Sequence, residues 1–244
     1  MQRTVLVTGA SGAIGAAIAR YFARLGDKVA LGCFSSRQRA DALATEIKQL
    51  GGQALVCPAD VSNPAQVEAM FTAIEAAFGP VQVLVNNAGV AQQKLMLDIT
   101  DADWNRMLAV HTGGTFFCSR RALPAMIQKK EGCIINISSI WGQVGASCEV
   151  HYSAAKAAVI GLTKALAKEV GPCGIRVNCV APGVVESAML EGFSAEELEE
   201  LRRQAPLLRL GTPEDIAAAV HFLAGAGASF ITGQVLSPNG GMVV

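Results

Sequence analysis

The chain has 244 residues, of which 51% are hydrophobic, and its 20 basic residues balance its 20 acidic ones. This balance gives no general attraction to nucleic-acid phosphates or to anionic membranes, so the composition argues against both kinds of partner. The apolar residues occur in short runs, none near the ~20 residues that cross a bilayer, and we expect no membrane-spanning segment.

The N-terminus leads from Arg3 directly into a short apolar run, without the long apolar region and cleavage site of a secretion signal. The cysteines are odd in number and form no C-x-x-C pair, which indicates free thiols rather than a disulfide or zinc framework. They are Cys33, Cys57, Cys118, Cys133, Cys148, Cys173 and Cys179. We therefore expect a cytoplasmic protein without a bound metal.

Short β-branched runs alternate with longer stretches of helical period along the chain. Strands are predicted at 4–8, 28–33, 53–57, 81–86, 133–138, 176–181 and 234–237. Helices are predicted at 13–25, 37–50, 64–78, 112–129 and 152–170. The strands are continuously apolar, as is typical of a parallel sheet covered on both faces. We predict an α/β fold, a single doubly wound Rossmann-like domain over residues 1–244.

Residues 187–211 interrupt this alternation. The segment combines an acidic patch with apolar residues, namely Glu196, Glu197, Glu199 and Glu200 with Met189, Leu190, Phe193 and Leu207. Long excursions from a compact fold are often functional. A helical lid that closes on the substrate and a solvated surface helix both agree with the pattern.

A glycine-rich segment, TGASGAIG, lies at Thr8–Gly15 between the first strand and the first helix. Glycine removes Cβ clashes, so the backbone and the helix N-terminus can approach a pyrophosphate, although a tight turn without a ligand has the same composition. We predict a dinucleotide-binding loop whose contacts come from Gly9, Ser11, Gly12, Ile14 and Gly15.

Tyr152 and Lys156 are four residues apart in HYSAAK, which places both side chains on one face of a helix. A neighbouring ammonium stabilises tyrosinate, so we expect Lys156, together with the cation of a bound dinucleotide, to lower the pKa of Tyr152 from the usual ~10. The pair predicts a proton donor for a carbonyl group undergoing reduction, with a polar surface pair as the alternative.

Three motifs together resemble the short-chain dehydrogenase/reductase family across essentially the whole chain. They are the glycine-rich segment, NNAG at 86–89 and the Tyr152-x3-Lys156 pair, and Ala13 stands where the family usually has its middle glycine. The resemblance implies a nicotinamide cofactor, held in part by Tyr152 and Lys156. It also implies adenine contacts at Asp60 and Val61, ribose and nicotinamide contacts at Asn87, Ala88 and Gly89, and carboxamide contacts at Pro182, Gly183, Val185 and Ser187.

The same resemblance implies a catalytic serine at Ser139, which matches the family pattern better than Ser138. His111 stands where many relatives have a catalytic asparagine. We hypothesise that its imidazole maintains a water-linked proton relay, with a satisfied core histidine as the alternative. Relatives form homotetramers through helices that correspond to 112–129 and 152–170, although such helix faces also pack within one subunit.

The end of the second strand carries no acid that would bind the 2′-hydroxyl of NAD. Ser35, Ser36 and Arg37 instead offer two hydroxyls and a guanidinium, which suit the 2′-phosphate of NADPH. We predict a preference for NADPH over NAD, with a merely solvated Arg37 as the alternative.

Two groups of relatives suggest different ketone substrates. The overall pattern resembles 3-oxoacyl-acyl-carrier-protein reductases. The segment SSIWGQVGASCEVHYSAAK at 138–156, with Val110 and His111, more closely resembles elongation factor P 5-aminopentanone reductases. The second resemblance predicts that Glu149 and Trp141 bind a substrate ammonium, although Glu149 also suits a solvated loop. We favour the ketone on elongation factor P; a substrate on acyl-carrier protein and a nonenzymatic dinucleotide-binding scaffold are the alternatives.

Overall fold

The computed structural model describes residues 2–187, 190 and 192–244. The strands in these residues are β1 (Thr4–Val7), β2 (Lys28–Cys33), β3 (Gln53–Pro58), β4 (Val83–Asn86), β5 (Gly132–Ile137), β6 (Ile175–Val180) and β7 (Val235–Leu236). All pair in parallel, in the order β3-β2-β1-β4-β5-β6-β7. The order reverses between β1 and β4, and the crevice at this point is where doubly wound sheets bind ligands.

Helices cover both faces of the sheet in the described residues. They are α1 (Ala13–Arg24), α2 (Arg37–Gln49), α3 (Pro64–Phe78), α4 (Asp101–Leu108), α5 (Gly114–Lys129), α6 (Trp141–Val144), α7 (Val150–Val170), α8 (Ala195–Gln204) and α9 (Pro213–Ala224). The cores on the two faces contain residues of α1, α2 and α9 on one side and of α3, α5 and α7 on the other. The predicted doubly wound α/β domain is confirmed.

The continuously apolar strands are explained by this two-sided burial. In β1, Val5 and Val7 enter the core beneath α1, whereas Leu6 enters the opposite core. Successive side chains of a strand point to opposite faces, so a strand covered on both sides needs apolar residues throughout. Each fully buried aliphatic side chain stabilises the fold by roughly 1.5–3 kcal/mol relative to exposure.

The helices around the site differ from the predicted ones in extent. Helix α7 begins at Val150, two residues before the predicted start, and α5 begins at Gly114 after a π-helical turn over Ala109–Gly113. Helices α4 and α9 were not among the predicted elements. Both begin with a capping box, in which Thr100 pairs with Asp103 and Thr212 pairs with Asp215.

The excursion at 187–211 contains α8, which starts with a capping box between Ser194 and Glu197 and buries none of its residues. A bridge between Val185 and Gly211 joins the two ends of the excursion. Met189, one of the apolar residues in the lid prediction, lies outside the described residues. A helix is therefore present as predicted, and its closure on a substrate stays a prediction. None of the helices in the described ranges is both long and apolar enough to cross a bilayer.

Candidate active site

The loops that follow β1, β4, β5 and β6 meet at the carboxyl edge of the sheet. The Asn87 amide, after β4, donates to the carbonyl oxygens of Thr8 at 2.9 Å and Gly9 at 3.2 Å, after β1. The Ile140 amide, after β5, donates to the Pro182 carbonyl, after β6, at 3.0 Å. The Asn87 bonds join the loops after β1 and β4, at the point where the strand order reverses, and the Ile140 bond joins the loops after β5 and β6.

The glycine-rich loop has the form that a dinucleotide requires. Gly9 has a φ of +67°, and a Cβ there would lie 2.8 Å from Ala88 Cα, while a Cβ on Gly15 would lie 2.7 Å from Asn87 Nδ2. Gly12 is exposed and is the N-cap of α1, where it offers no side chain to cap the N–H groups of the first helical turn. Open backbone at a helix N-terminus binds phosphate, so these residues fit the diphosphate of a dinucleotide.

The residues predicted to select NADPH follow β2, at the carboxyl edge of the sheet. Ser36 is the N-cap of α2, and its side chain makes no capping hydrogen bond. The Arg37 guanidinium is 70% exposed and lies 3.6 Å from the Asp41 carboxylate. A weak, exposed ion pair of this kind leaves the guanidinium able to turn towards a phosphate.

The residues predicted to border the adenine are held by contacts within the chain. Burial acts to raise the pKa of Asp60, but hydrogen bonds from Ser62 and the ion pair with Arg106 at 3.1 Å outweigh it and leave the pKa below its usual value. Val61 is buried, and a Cβ on Gly114 would lie 2.7 Å from its Cγ2. The packing therefore turns the Val61 side chain towards α5.

The segment predicted to face the carboxamide begins directly after β6. Pro182 is buried, and a Cβ on Gly183 would lie 2.8 Å from Asn239 Cα, so glycine permits a close approach of the C-terminal loop. Val185 pairs with Gly211 in the bridge at the base of the excursion. Ser187 is half-buried at the edge of the described residues.

Ser139, and not Ser138, lies beside Tyr152. The Ser139 side chain is within hydrogen-bonding reach of the Tyr152 hydroxyl, and it also accepts a hydrogen bond from the Trp141 backbone N–H at 3.1 Å. The Ser138 hydroxyl instead donates to the Lys156 carbonyl oxygen at 2.9 Å and joins β5 to α7. The catalytic role of Ser139 stays a prediction, and of the two serines it is the one that acts on the Tyr152 phenol.

The pKa of Tyr152 is displaced in the direction opposite to the prediction. Burial raises it to about 12, the nearby Glu149 charge adds to the rise, and hydrogen bonding to Ser139 opposes it. Lys156 is predicted to lower this pKa together with the nicotinamide cation, but in the protein alone desolvation is the largest effect on the half-buried tyrosine. A protonated phenol at neutral pH is the form that donates a proton during reduction.

Lys156 is buried, and its Nζ donates to the Ile137 carbonyl oxygen at the end of β5 at 2.8 Å. The same nitrogen lies 5.6 Å from the centroid of the Tyr152 ring. Burial lowers the pKa of Lys156 to about 8. The lysine is therefore positively charged at neutral pH, in a desolvated position beside the Tyr152 ring.

His111 lies in the π-helical turn, and its ring meets the Tyr152 ring edge-on with centroids 5.4 Å apart. Its Nε2 is 2.8 Å from the Val90 carbonyl oxygen and 3.2 Å from the Val90 nitrogen. Its buried Nδ1 has no partner in the part of the chain that the structure describes. Burial and the Lys156 charge lower the pKa of His111 to about 3, so the imidazole is neutral.

The two residues predicted to bind a substrate amine both precede α7 in the chain, Trp141 in α6 and Glu149 as the N-cap of α7. Trp141 is half-buried at the start of α6. Glu149 is half-buried and accepts a hydrogen bond from the Gln93 side-chain amide at 3.3 Å. Its negative charge acts to raise the pKa of Tyr152. Burial raises the pKa of Glu149, a sign that its carboxylate is incompletely compensated.

One residue that supports the site was missed at the sequence level. A Cβ on Gly142 would lie 2.8 Å from Ser138 Oγ and 2.9 Å from Lys156 Cβ, so only glycine lets α6 approach α7 this closely. In the sequence, Gly142 is visible only as a glycine three residues after Ser139. The reason for the glycine is a contact between α6 and α7, which the local pattern does not reveal.

Comparisons with known proteins agree with this site. The family model described as Enoyl-(Acyl carrier protein) reductase matches residues 9–243. The 3-oxoacyl-[acyl-carrier-protein] reductase FabG of Staphylococcus aureus strain Mu50 is 41% identical over 242 residues, which cover 99% of this chain and 98% of that protein.

Two further relatives match over nearly their full lengths. The 3-oxoacyl-[acyl-carrier-protein] reductase of Synechocystis is 40% identical over 99% of this chain and 97% of that protein. The protein named Uncharacterized oxidoreductase YmfI of Bacillus subtilis strain 168 is 40% identical over 99% of both chains. The crevice, the glycine cradle and these matches together show that the chain belongs to the short-chain dehydrogenase/reductase family and is an NAD(P)-dependent oxidoreductase.

Proposed function

We propose that the protein is an NADPH-dependent reductase of 3-oxoacyl chains carried as thioesters on acyl-carrier protein. The observation that carries the proposal is the protonated Tyr152 phenol beside Ser139, in the crevice onto which the glycine cradle opens. The substrate class is taken from the relatives named for it, whose full lengths this chain matches. A substrate on acyl-carrier protein is preferred to the ketone on elongation factor P, because two of the relatives described above are named as 3-oxoacyl-[acyl-carrier-protein] reductases.

Each catalytic side chain has a part that its position allows. Ser139 holds the substrate carbonyl oxygen towards Tyr152, which gives its proton to the oxygen as negative charge develops there. Bound NADPH supplies the hydride. The buried Lys156 ammonium stabilises the tyrosinate left behind, and its hydrogen bond to Ile137 keeps it at a fixed place. The neutral His111 keeps a water at Nδ1 that connects the lysine to solvent.

The preference for NADPH rests on the residues after β2. The Ser36 side chain makes no capping bond, and the Arg37 guanidinium is 70% exposed in a weak ion pair. Two hydroxyls and a guanidinium at a helix N-terminus complement a 2′-phosphate better than the 2′-hydroxyl of NAD.

A second candidate substrate, the aminopentanone on elongation factor P, is favoured by Glu149. Its half-buried carboxylate lies near Tyr152 and accepts only a 3.3 Å hydrogen bond from Gln93 within the described residues. A substrate ammonium would compensate this charge, with Trp141 contributing a cation–π contact. A thioester substrate offers no such cation. A nonenzymatic scaffold is not retained, because the chain belongs to an oxidoreductase family.

The two substrates are distinguished by one assay of NADPH consumption, with acetoacetyl thioester and aminopentanone-bearing elongation factor P offered separately to the parent and to Glu149→Gln. We expect the parent to reduce the thioester, faster with NADPH than with NADH, and Glu149→Gln to match it. Faster reduction of the aminopentanone, lost in Glu149→Gln, would transfer the function to the second candidate. No reduction of either ketone would refute the proposed function.

The relay role of His111 predicts that His111→Ala lowers kcat on the order of tenfold or more. Stability should fall by only about 1–3 kcal/mol, the cost of leaving one Val90 backbone group unpaired. His111→Asn supplies an amide that can donate and accept, so it should recover most of the lost turnover. Steady-state kinetics and chemical denaturation of both variants make the comparison. Unchanged turnover in His111→Ala would leave the residue a packing role only.

The lid and the assembly belong to the same proposal. The excursion at 187–211 contains the exposed helix α8 and is joined at its base by the bridge between Val185 and Gly211. It therefore suits a lid that closes over the substrate.

The small residues Ala157, Gly161 and Ala165 of α7 are exposed, and Phe230 is fully exposed. Such surfaces suit subunit contacts, which supports a homotetramer.

A further inference from the structure

Residues 90–94 continue from the NNAG segment and run beside the segment that leads into α7. Three consecutive residues, 92–94, form hydrogen bonds to that segment. The Gln92 side chain bonds His151, the Gln93 amide donates to Glu149 at 3.3 Å, and the Lys94 backbone N–H donates to the Cys148 carbonyl at 2.8 Å. We call the pairing of residues 92–94 with residues 148–151 the clasp. It joins the segment that follows NNAG to the residue directly before Tyr152.

The hydrogen-bond roles within the clasp follow from Asp103. The Gln92 Nε2 lies 2.8 Å from the Asp103 carboxylate, which only accepts, so the amide nitrogen faces Asp103. The Gln92 Oε1 is therefore the atom that faces His151, whose Nε2 lies 2.9 Å away and must donate. His151 is fully buried, and its Nδ1 has no partner among the residues with described placements. Among the described residues, the bond to Gln92 is therefore the one hydrogen bond that the His151 side chain makes.

Asp103 is a rigid anchor for this chain of bonds. Besides Gln92, it accepts from the Lys94 ammonium at 2.7 Å and from the Thr100 hydroxyl at 2.7 Å. These bonds, with Lys94 first, hold the pKa of the Asp103 carboxyl well below its usual range. The anchor therefore stays charged, and Gln92 keeps one orientation across the pH range of a reductase assay.

We propose that His151 and Gln92 are positioning residues for the reduction, because their hydrogen bond fixes the first turn of α7, and with it the Tyr152 hydroxyl, against the nicotinamide side of the crevice. The inference rests on the proposed reductase activity. Tyr152 adjoins His151 in the first turn of α7, so a shift there moves the phenol relative to the segment at 87–89. Misplacing a proton donor by about 1 Å costs up to a hundredfold in rate, whereas dinucleotide contacts at α1 are untouched.

The test compares kcat and KM for NADPH in Gln92→Leu, His151→Leu and the double variant, with whichever ketone the parent reduces. We expect each single variant to lower kcat on the order of tenfold, with KM for NADPH nearly unchanged. The double variant should be no slower than the slower single one, because both remove the same bond. His151→Gln, which keeps an amide donor at similar reach, should recover most of the rate.

A matched control is Gln82→Leu, which removes a single hydrogen bond of 3.2 Å to the Thr4 backbone at the opposite end of the sheet. It should lower stability without lowering kcat. If His151→Leu does not fold, Gln92→Leu decides alone, since Gln92 is only half-buried. Parent-like kcat in Gln92→Leu, or independent, additive effects of the two substitutions, would overturn the inference. A parent that reduces no ketone would instead refute the proposed function, so the two failures are distinguishable.

Discussion

The Tyr152→Phe variant is expected to reduce ketones about a thousandfold more slowly than the parent protein, because it lacks the phenol that protonates the developing alkoxide. The substitution keeps the ring, so its edge-on contact with His111 and the packing of α7 should be preserved. NADPH affinity, followed by the fluorescence change on binding, should therefore stay close to the parent value. The loss should appear in kcat and not in the binding of the dinucleotide.

The other tyrosine of the chain provides the control. Tyr21 is in α1 and stacks on His221 with centroids 4.7 Å apart, away from the crevice. Tyr21→Phe should retain the kcat of the parent. A Tyr152→Phe variant that also retains it would show that the proton comes from another group, and the mechanism proposed above would be wrong.

The parts of the site that could be predicted from the sequence are those encoded by short-range geometry. The glycine loop follows a strand and opens a helix within eight residues, and Tyr152 and Lys156 share a helix face because they are one turn apart. The alternation of apolar strands with amphipathic helices likewise determines the doubly wound sheet, since each element must bury its apolar surface against the others.

The parts that could not be predicted depend on contacts between distant segments. The rise in the pKa of Tyr152 comes from burial, which the packing of several elements creates, so the local Tyr–Lys spacing gave the wrong sign. The Gln92–His151 bond joins residues 59 positions apart. The π-helical turn that holds His111 between Val90 and Tyr152 also has no distinctive local pattern. The substrate depends on side chains such as Glu149, whose burial the sequence does not disclose.

Lys156→Met is the second substitution with a large expected effect, and it should make the protein slower and more stable at once. Without the ammonium, the tyrosinate formed during reduction is not stabilised, and kcat should fall about a hundredfold. The activity of the parent should decline as the pH rises through about 8, where Lys156 loses its charge, and the variant should lack this decline. Initial rates between pH 6 and 9.5 measure both effects.

The gain in stability follows from the direction of the pKa shift. Burial lowers the pKa of Lys156 from 10.5 to about 8, so at pH 7 the folded protein carries a charge that costs roughly 3 kcal/mol more than in the unfolded chain. Loss of the bond to the Ile137 carbonyl offsets about 1 kcal/mol of this. Lys156→Met should therefore raise the free energy of unfolding at pH 7 by roughly 1–3 kcal/mol.

The sign of this effect can be checked by its dependence on pH. Between pH 8 and 10.5 the unfolded chain retains a proton on this lysine that the folded protein has released, so the parent gains stability relative to the variant as the pH rises. The difference between the two proteins should therefore shrink towards pH 10. Lys164→Met, at an exposed lysine of the same helix, should show neither effect. If Lys156→Met is less stable than the parent at pH 7, the buried ammonium is compensated by its surroundings, and the desolvation account of this site is wrong.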